Sequence, residues 1–290
     1  MKKYLIDLTH TDLTGVTTFA YNLVKLSKRN FDVCFPLIDN SIIIQQFKLL
    51  DNCRIIENPK DEYDIIFLNY FTEKYDNFHS KKYQFIHGLM SPVLYKLNKG
   101  IEKLFVFSER ALEYLNHDNI CLIRNFIDLN RYIPSEINKV AKNVLIHDSR
   151  SNNFLINNVI SACAYLGMYV SFIGQDRFNR KLWNVENRIK DADIVIGYGR
   201  STIEGLACGK SVIIYGINGG DGMLLENNYR EMLHTNLSGW SMRTMTHPSL
   251  MNVEEIVVEL LKYNKEQGEF NRKIAERYFD FKIYEKALFD

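Results

Sequence analysis

The sequence is short of the features that mark several large protein classes. Its 290 residues hold only five cysteines, Cys34, Cys53, Cys121, Cys163 and Cys208, with no C-x-x-C pair and no Cys/His ligand spacing. An odd, scattered set argues against both a disulfide framework and a zinc site. No apolar run approaches the roughly 20 residues of a membrane span. The opening MKKYLIDLTH is too short and too polar for a signal core. The expectation is a soluble protein of the cytoplasm (at most peripheral to an inner membrane, or in a host cytoplasm if viral). Charge of one sign is missing too. The formal net charge is +1, and a split near residue 139 leaves both halves close to neutral. That counts against a protein whose main work is gripping phosphate backbones. Internal repeats and low-complexity tracts are also absent.

What is present is a core. Apolar residues make up 46% of the chain, enough to exclude disorder, and the length suits two domains. Continuous apolar runs recur at 4–8, 32–38, 53–57, 63–70, 83–88 and 103–108. Runs of this kind fit parallel strands covered on both faces. Between the first two, Phe19, Leu23 and Leu26 fall at helical spacing. A polar, proline-bearing stretch at 133–143 leads to a second series at 144–147, 169–174, 193–197 and 211–216. The reading is α/β: two Rossmann-like, doubly wound domains facing across a cleft, with ligand bound at the carboxyl ends of the strands. The expected division is 1–139, 140–265 and a helical tail, 266–290, packing back on the first domain. Asn252 and Glu255 make a capping box for a helix near 252–264.

The most informative stretch is DIVIGYGRSTIEGLACGKSVIIYG, 193–216. After the strand DIVIG, the loop Gly197-Tyr198-Gly199 lets backbone approach a ligand closely. A helix is expected to start near Ser201, with free N–H groups suited to a phosphate and Arg200 as a forked donor. Glu204, one turn in, could accept from two adjacent hydroxyls such as those of a ribose. Equally, Ser201-x-x-Glu204 is a capping box worth about 1 kcal/mol. Both roles stay open on these residues.

This stretch resembles the C-terminal donor-site motif of GT-B glycosyltransferases, closest to family 4, in a GR-x-x-x-E variant. IRNFIDLNRY (123–132) is similar to the family's NGID segment, with Phe126 in place of glycine, and LFVFSE (104–109) to the strand before it. INGGDGMLLENN (217–228) resembles a glycine-rich loop and helix start facing the donor. The resemblance implies that Glu204 holds the nucleotide ribose, and that Gly174, Tyr198, Gly199, Ser201, Thr202, Gly219 and Gly220 lie on the nucleotide-sugar side. It implies that the loop at Gly15 lines the cleft, and that His87 ends a strand facing the sugar. Arg150 matches the arginine of an arginine–lysine pair on the donor diphosphate, and Arg200 supports it. Two departures stand out: Ile196 replaces a second glutamate, and no lysine follows Arg150 at short spacing.

Each of these residues has a plainer role to set beside that one. Gly15 could be a tight turn before a Thr cap, and His87 a core histidine. Asp191-Ala-Asp193 matches a D-x-D metal pattern but precedes its strand, so it reads as a solvated turn, and no metal is expected. Asn125 and Asp128 read as structural. The segment 174–190, with Arg177, Arg180, Lys181 and Arg188 around Phe178 and Trp183, reads as a solvated face with an aromatic packed inward. The expected activity is metal-independent sugar transfer from a nucleotide-sugar, UDP-linked by expectation, with no cofactor beyond that co-substrate. The acceptor is a hydroxyl on a glycan, a glycolipid or a hydroxymethylated DNA base, with retention at the anomeric carbon. The alternatives are a sugar-nucleotide epimerase or hydrolase, and a non-catalytic nucleotide- or glycan-binding module.

Overall fold

The computed structural model describes residues 2–88, 96–147, 153–174, 182–217, 219–239 and 250–290. The chain divides into two compact units, one of residues 1–126 with 281–290 and the other of 127–280.

The first unit carries a seven-stranded sheet. Its strands are β1 (Tyr4–Asp7), β2 (Phe31–Cys34), β3 (Cys53–Ile56), β4 (Ile65–Leu68), β5 (Lys81–Ile86), β6 (Ile101–Val106) and β7 (Ile120–Leu122). They lie in the order β3-β2-β1-β4-β5-β6-β7, and all pairs are parallel. Helix α1 (Gly15–Ser27) crosses from β1 to β2, α2 (Ile42–Lys48) lies between β2 and β3, and α3 (Glu109–Tyr114) between β6 and β7. Helix α1 starts where Thr14 and Thr17 close a capping box, and stops where Lys28 turns left-handed. Phe19 from α1 packs edge-on to Phe85 and Phe107, each 5.0 Å away between centroids. Phe85 in turn stacks on Phe67 and Phe105. The last helix, α10 (Glu285–Phe289), returns to this sheet, with Phe289 edge-on to Tyr4 at 5.3 Å.

The second unit has five strands: β8 (Asn143–His147), β9 (Tyr169–Ile173), β10 (Ile194–Gly197), β11 (Ser211–Gly216) and β12 (Gly219–Met223). The order is β12-β11-β10-β8-β9, parallel except for the β11–β12 hairpin. Helices α4 (Asn153–Tyr165), α5 (Val185–Lys190), α6 (Arg200–Ala207), α7 (Tyr229–His234), α8 (Val253–Leu261) and α9 (Gln267–Tyr278) complete it. Asn252 and Glu255 form the expected capping box at α8.

Several local expectations change. Residues 127–139, read from sequence with the first domain, fall in the second unit, because Ile127 and Tyr132 insert into its core. Of the tail, 281–290 belongs with the first unit, while α9 stays in the second. Gly219–Met223 is an antiparallel strand rather than a loop. At Gly220 a Cβ would meet Met251 Sδ at 2.5 Å and the Tyr215 ring at 2.8 Å. Glycine lets the hairpin close there. Asp193 is not solvated but 2% exposed. Its carboxylate accepts from the backbone N–H groups of Asn138, Lys142 and Asn143 and from the Asn138 amide. Burial alone would raise its pKa, but these donors hold it below the ordinary carboxylate value.

Candidate functional site

The second unit gathers half of the expected residues, Tyr198, Gly199, Arg200, Ser201, Thr202 and Glu204, just past the carboxyl end of β10, with His147 at the end of the neighbouring β8. Strand β10 ends at Gly197, where a Cβ would strike His147 O at 2.5 Å, so the two strand ends close together. Tyr198 lies over Gly216, whose missing Cβ would fall 2.2 Å from the ring. Gly199 then takes φ 57°, ψ −123°, a conformation that favours glycine, and its N–H donates to Leu237 O at 2.6 Å.

Helix α6 begins at Arg200, one residue before the sequence suggests, with Gly199 as N-cap and no side-chain cap. The Ser201–Glu204 capping box does not form. The first N–H groups of a helix have no partners within it, and α6 carries no acidic residue in its first turn. Its positive dipole end is uncompensated there. Thr202 is fully buried, with its hydroxyl donating to Gly199 O at 2.7 Å.

Freed from capping, Glu204 is 4% exposed and anchored through one oxygen. Oε1 accepts from Tyr132 Oη at 2.9 Å and from Arg200 Nε at 3.0 Å. Oε2 faces His147 Nδ1 at 3.8 Å, beyond hydrogen-bond reach. Arg200 is itself deeply set, its side chain 10% exposed. Both its terminal nitrogens, Nη1 and Nη2, are buried without a hydrogen-bond partner, as is His147 Nδ1. Burial lowers the His147 pKa; Glu204 opposes that shift and Arg200 adds to it, so the ring is neutral at pH 7. Tyr132 was missed by sequence reasoning. It stands 72 positions from Glu204, and nothing in NRY (130–132) signals the pairing.

The remaining candidates are spread out. Gly174 directly follows β9, and Gly219 and Gly220 lie on β12. Trp183 packs under the Arg131 guanidinium at 4.7 Å, and Arg131 pairs with Glu186 at 2.9 Å. Asp128 accepts from Asn130 N–H at 3.0 Å, a structural turn. Arg150 and 175–181 lie outside the described residues. Among the described residues no group of three or more His, Cys, Asp or Glu could hold a metal, and no helix is long and apolar enough to cross a membrane.

Gly15 and His87 belong to the first unit. Gly15 opens α1 behind the Thr14 cap. His87 sits in an aromatic nest, stacked on Phe107 at 4.7 Å and edge-on to Phe19 at 5.3 Å. One ring nitrogen is 2.8 Å from Asn69 Oδ1. Burial pushes its pKa down to about 3.

No model of a known protein family matches the chain, and no curated protein matches it in sequence. Solved structures do. Anabaena HepE in complex with UDP-glucose aligns over 99% of this chain and 98% of its own, with TM-score 0.64 and 13% identity. UDP-GlcNAc 2-epimerase from Neisseria meningitidis, bound to UDP-GlcNAc, aligns over 99% and 98%, with TM-score 0.59 and 13% identity. The calicheamicin glycosyltransferase CalG4 aligns over 99% and 97%, with TM-score 0.54 and 7% identity. The fold is GT-B. HepE and CalG4 share it across nearly their whole lengths, as does the epimerase, and likeness at these identities is likeness of fold.

Proposed function

We propose that the chain is a glycosyltransferase that takes a sugar from a nucleotide-sugar, UDP-linked, and passes it to a hydroxyl acceptor. The observation that carries this reading is the pairing of opposite needs around Glu204. Arg200 has two buried guanidinium nitrogens that want an acceptor. The Glu204 carboxylate has both its hydrogen bonds on Oε1 and its other oxygen turned to His147. A buried polar group left unsatisfied is costly. One ligand that meets both needs is a nucleoside diphosphate, whose ribose hydroxyls donate and whose phosphates accept. The uncapped N-terminus of α6 favours the same anion.

In the reaction, the bond from the sugar's anomeric carbon to the diphosphate breaks and a bond to the acceptor oxygen forms. The acceptor's proton passes to the departing diphosphate or to water. Negative charge grows on the departing diphosphate, where Arg200 and the α6 amides would stabilise it. Removing one such donor costs on the order of 100-fold in turnover. Arg150 belongs to the same proposal through the family resemblance, as do membership of family 4, retention, a metal-independent mechanism and a location in the cytoplasm. A glycan or glycolipid hydroxyl is the first acceptor class, and a hydroxymethylated DNA base the second.

The test is thermal stabilisation by UDP, GDP and CMP and their sugars, on wild type and Arg200→Ala, followed by turnover with an acceptor panel. Ligand at about 100 times its dissociation constant adds about 2.7 kcal/mol. Stabilisation by one nucleotide, weakened in Arg200→Ala, is the expected result. Indifference to every nucleotide would remove the reading. The likeness to an epimerase bound to UDP-GlcNAc favours one second reading: consumption of a nucleotide-sugar with no acceptor present would select it.

A further inference from the structure

We infer that Tyr132 is a positioning residue for Glu204, and that its hydroxyl sets how strongly the protein prefers a ribonucleotide to its 2′-deoxy counterpart. This deepens the proposed function and rests on Glu204 meeting the ribose. The phenol donates to Glu204 Oε1 at 2.9 Å. Arg200 Nε donates to the same oxygen at 3.0 Å. Two donors on one oxygen fix the carboxylate plane and leave Oε2 as the acceptor for a ligand hydroxyl. A glutamate side chain has several soft torsions, and a site is only as selective as its supporting contacts are fixed.

Tyr132 is well placed to act as such a support because its own position is fixed to the helix that carries Glu204. Its ring is 1% exposed, within the core of the second unit. Its carbonyl accepts from Arg272 Nη1 at 2.7 Å, and the same nitrogen reaches Ala207 O, also at 2.7 Å. Ala207 is the last residue of α6. One guanidinium of α9 therefore holds the Tyr132 backbone to one end of α6, while the Tyr132 hydroxyl meets Glu204 midway along it. Turns at Asp128 supply the approach, with Arg131 and Tyr132 N–H both donating to Asp128 O. The phenol remains protonated at neutral pH, since burial and the nearby Glu204 raise its pKa far above the ordinary value.

Arg200 cannot supply this restraint alone. It lies on the same helix, four residues away, and its terminal nitrogens point to the ligand role proposed above. Tyr132 comes from outside the helix and fixes the carboxylate against the core. Without its hydroxyl, Glu204 keeps its charge and its attraction to Arg200, but loses the contact that orients Oε2.

The experiment measures dissociation constants for UDP and 2′-deoxy-UDP by calorimetry on the full chain, as wild type and Tyr132→Phe, with melting temperatures alongside. One hydrogen bond to a charged group is worth about tenfold or more. Wild type should prefer UDP by about tenfold, and Tyr132→Phe should reduce that preference to about threefold or less while the protein stays folded. 4-Aminophenylalanine at 132, which restores a donor, should restore the preference. Where Phe unfolds the chain, 4-methylphenylalanine fills the hydroxyl's space without donating and serves in its place. If wild type discriminates and the donor-free variants discriminate equally, Tyr132 is only a core residue and the inference fails. If wild type itself binds both nucleotides alike, the placement of ribose at Glu204 fails first, and this inference with it.

Discussion

Arg200 Nε donates to Glu204 Oε1 at 3.0 Å, one helical turn along α6, with both side chains at or below 10% exposure. The pair replaces the capping role that the S-x-x-E pattern suggests, and the two roles differ sharply in energy. Removing one member of a buried ion pair costs about 3–5 kcal/mol, because the other is left uncompensated. Glu204→Ala should fall in that range by urea unfolding. Ser201→Ala should stay within about 0.5 kcal/mol. In the Arg200→Ala, Glu204→Ala double variant the losses should be less than additive by at least about 1 kcal/mol. Full additivity would mean the two side chains do not interact in solution.

Asp193 is another buried carboxylate of this unit, and its work is structural. It closes the linker onto the base of β10 by accepting three backbone N–H groups at 2.8–2.9 Å. Asp193→Ala leaves these donors unpaired and should cost at least about 3 kcal/mol. Its pKa is lowered in the folded state, so its contribution is complete above the unfolded value of about 3.9. That contribution is lost as the pH falls through the lower folded value. Denaturation curves from pH 6 to pH 2 should show the wild type losing this part of its stability, and Asp193→Ala having none of it to lose. The melting temperature should not respond to Mg2+ or EDTA, as befits a carboxylate occupied by amides.

His87 gives the opposite kind of group, a base held neutral. Its folded pKa lies at about 3 because burial among Phe19, Phe85 and Phe107 disfavours the charged ring. The unfolded chain takes up a proton near pH 6.5 while the folded one does not. Stability from this group is present above pH 6.5 and declines as the pH falls, approaching about 1.4 kcal/mol per unit. Between pH 6.5 and 4.5 most carboxylates are still ionised. In that window His87→Phe should flatten the stability profile relative to wild type. An unchanged slope would show that the ring is not buried as a neutral base. The same burial makes His87 an unsuitable general acid at neutral pH.

The sheets were legible in the sequence because parallel strands buried on both faces leave continuous apolar runs, as at 63–70 and 211–216. The two strands that sequence reasoning passed over lack that mark. Ile120–Leu122 is three residues long, and Gly219–Met223 owes its place to the hairpin with β11 rather than to strand-forming side chains. Asp193 was misread because its amide donors come from 138–143, about 50 positions back, and short-range pattern cannot show them. The site was half legible for a similar reason. Arg200 and Glu204 share one helix turn and can be seen as a pair, but Tyr132 bonds to the same carboxylate, and His147 faces it, only through the fold. Gly199 was visible as a loop glycine, while its positive φ, which moves the helix start to Arg200, was not.

Two glycines separate packing from ligand approach. A Cβ at Gly205 would lie 2.9 Å from Val212 Cγ1 and 3.1 Å from Val195 Cβ. Overpacking of this kind costs about 1–3 kcal/mol, so Gly205→Ala should lower the melting temperature whatever the protein binds. At Gly15 nothing lies within 4 Å of the added Cβ, and the residue opens α1 behind an intact cap. Gly15→Ala should therefore stabilise the free protein by about 0.4–1 kcal/mol, by narrowing the unfolded ensemble. The family resemblance expects this loop beside the donor phosphates, and on that expectation the added methyl group hinders the ligand. UDP-sugar affinity should then fall although the protein melts higher. A rise in melting temperature with affinity and turnover unchanged would leave Gly15 as a helix start and nothing more.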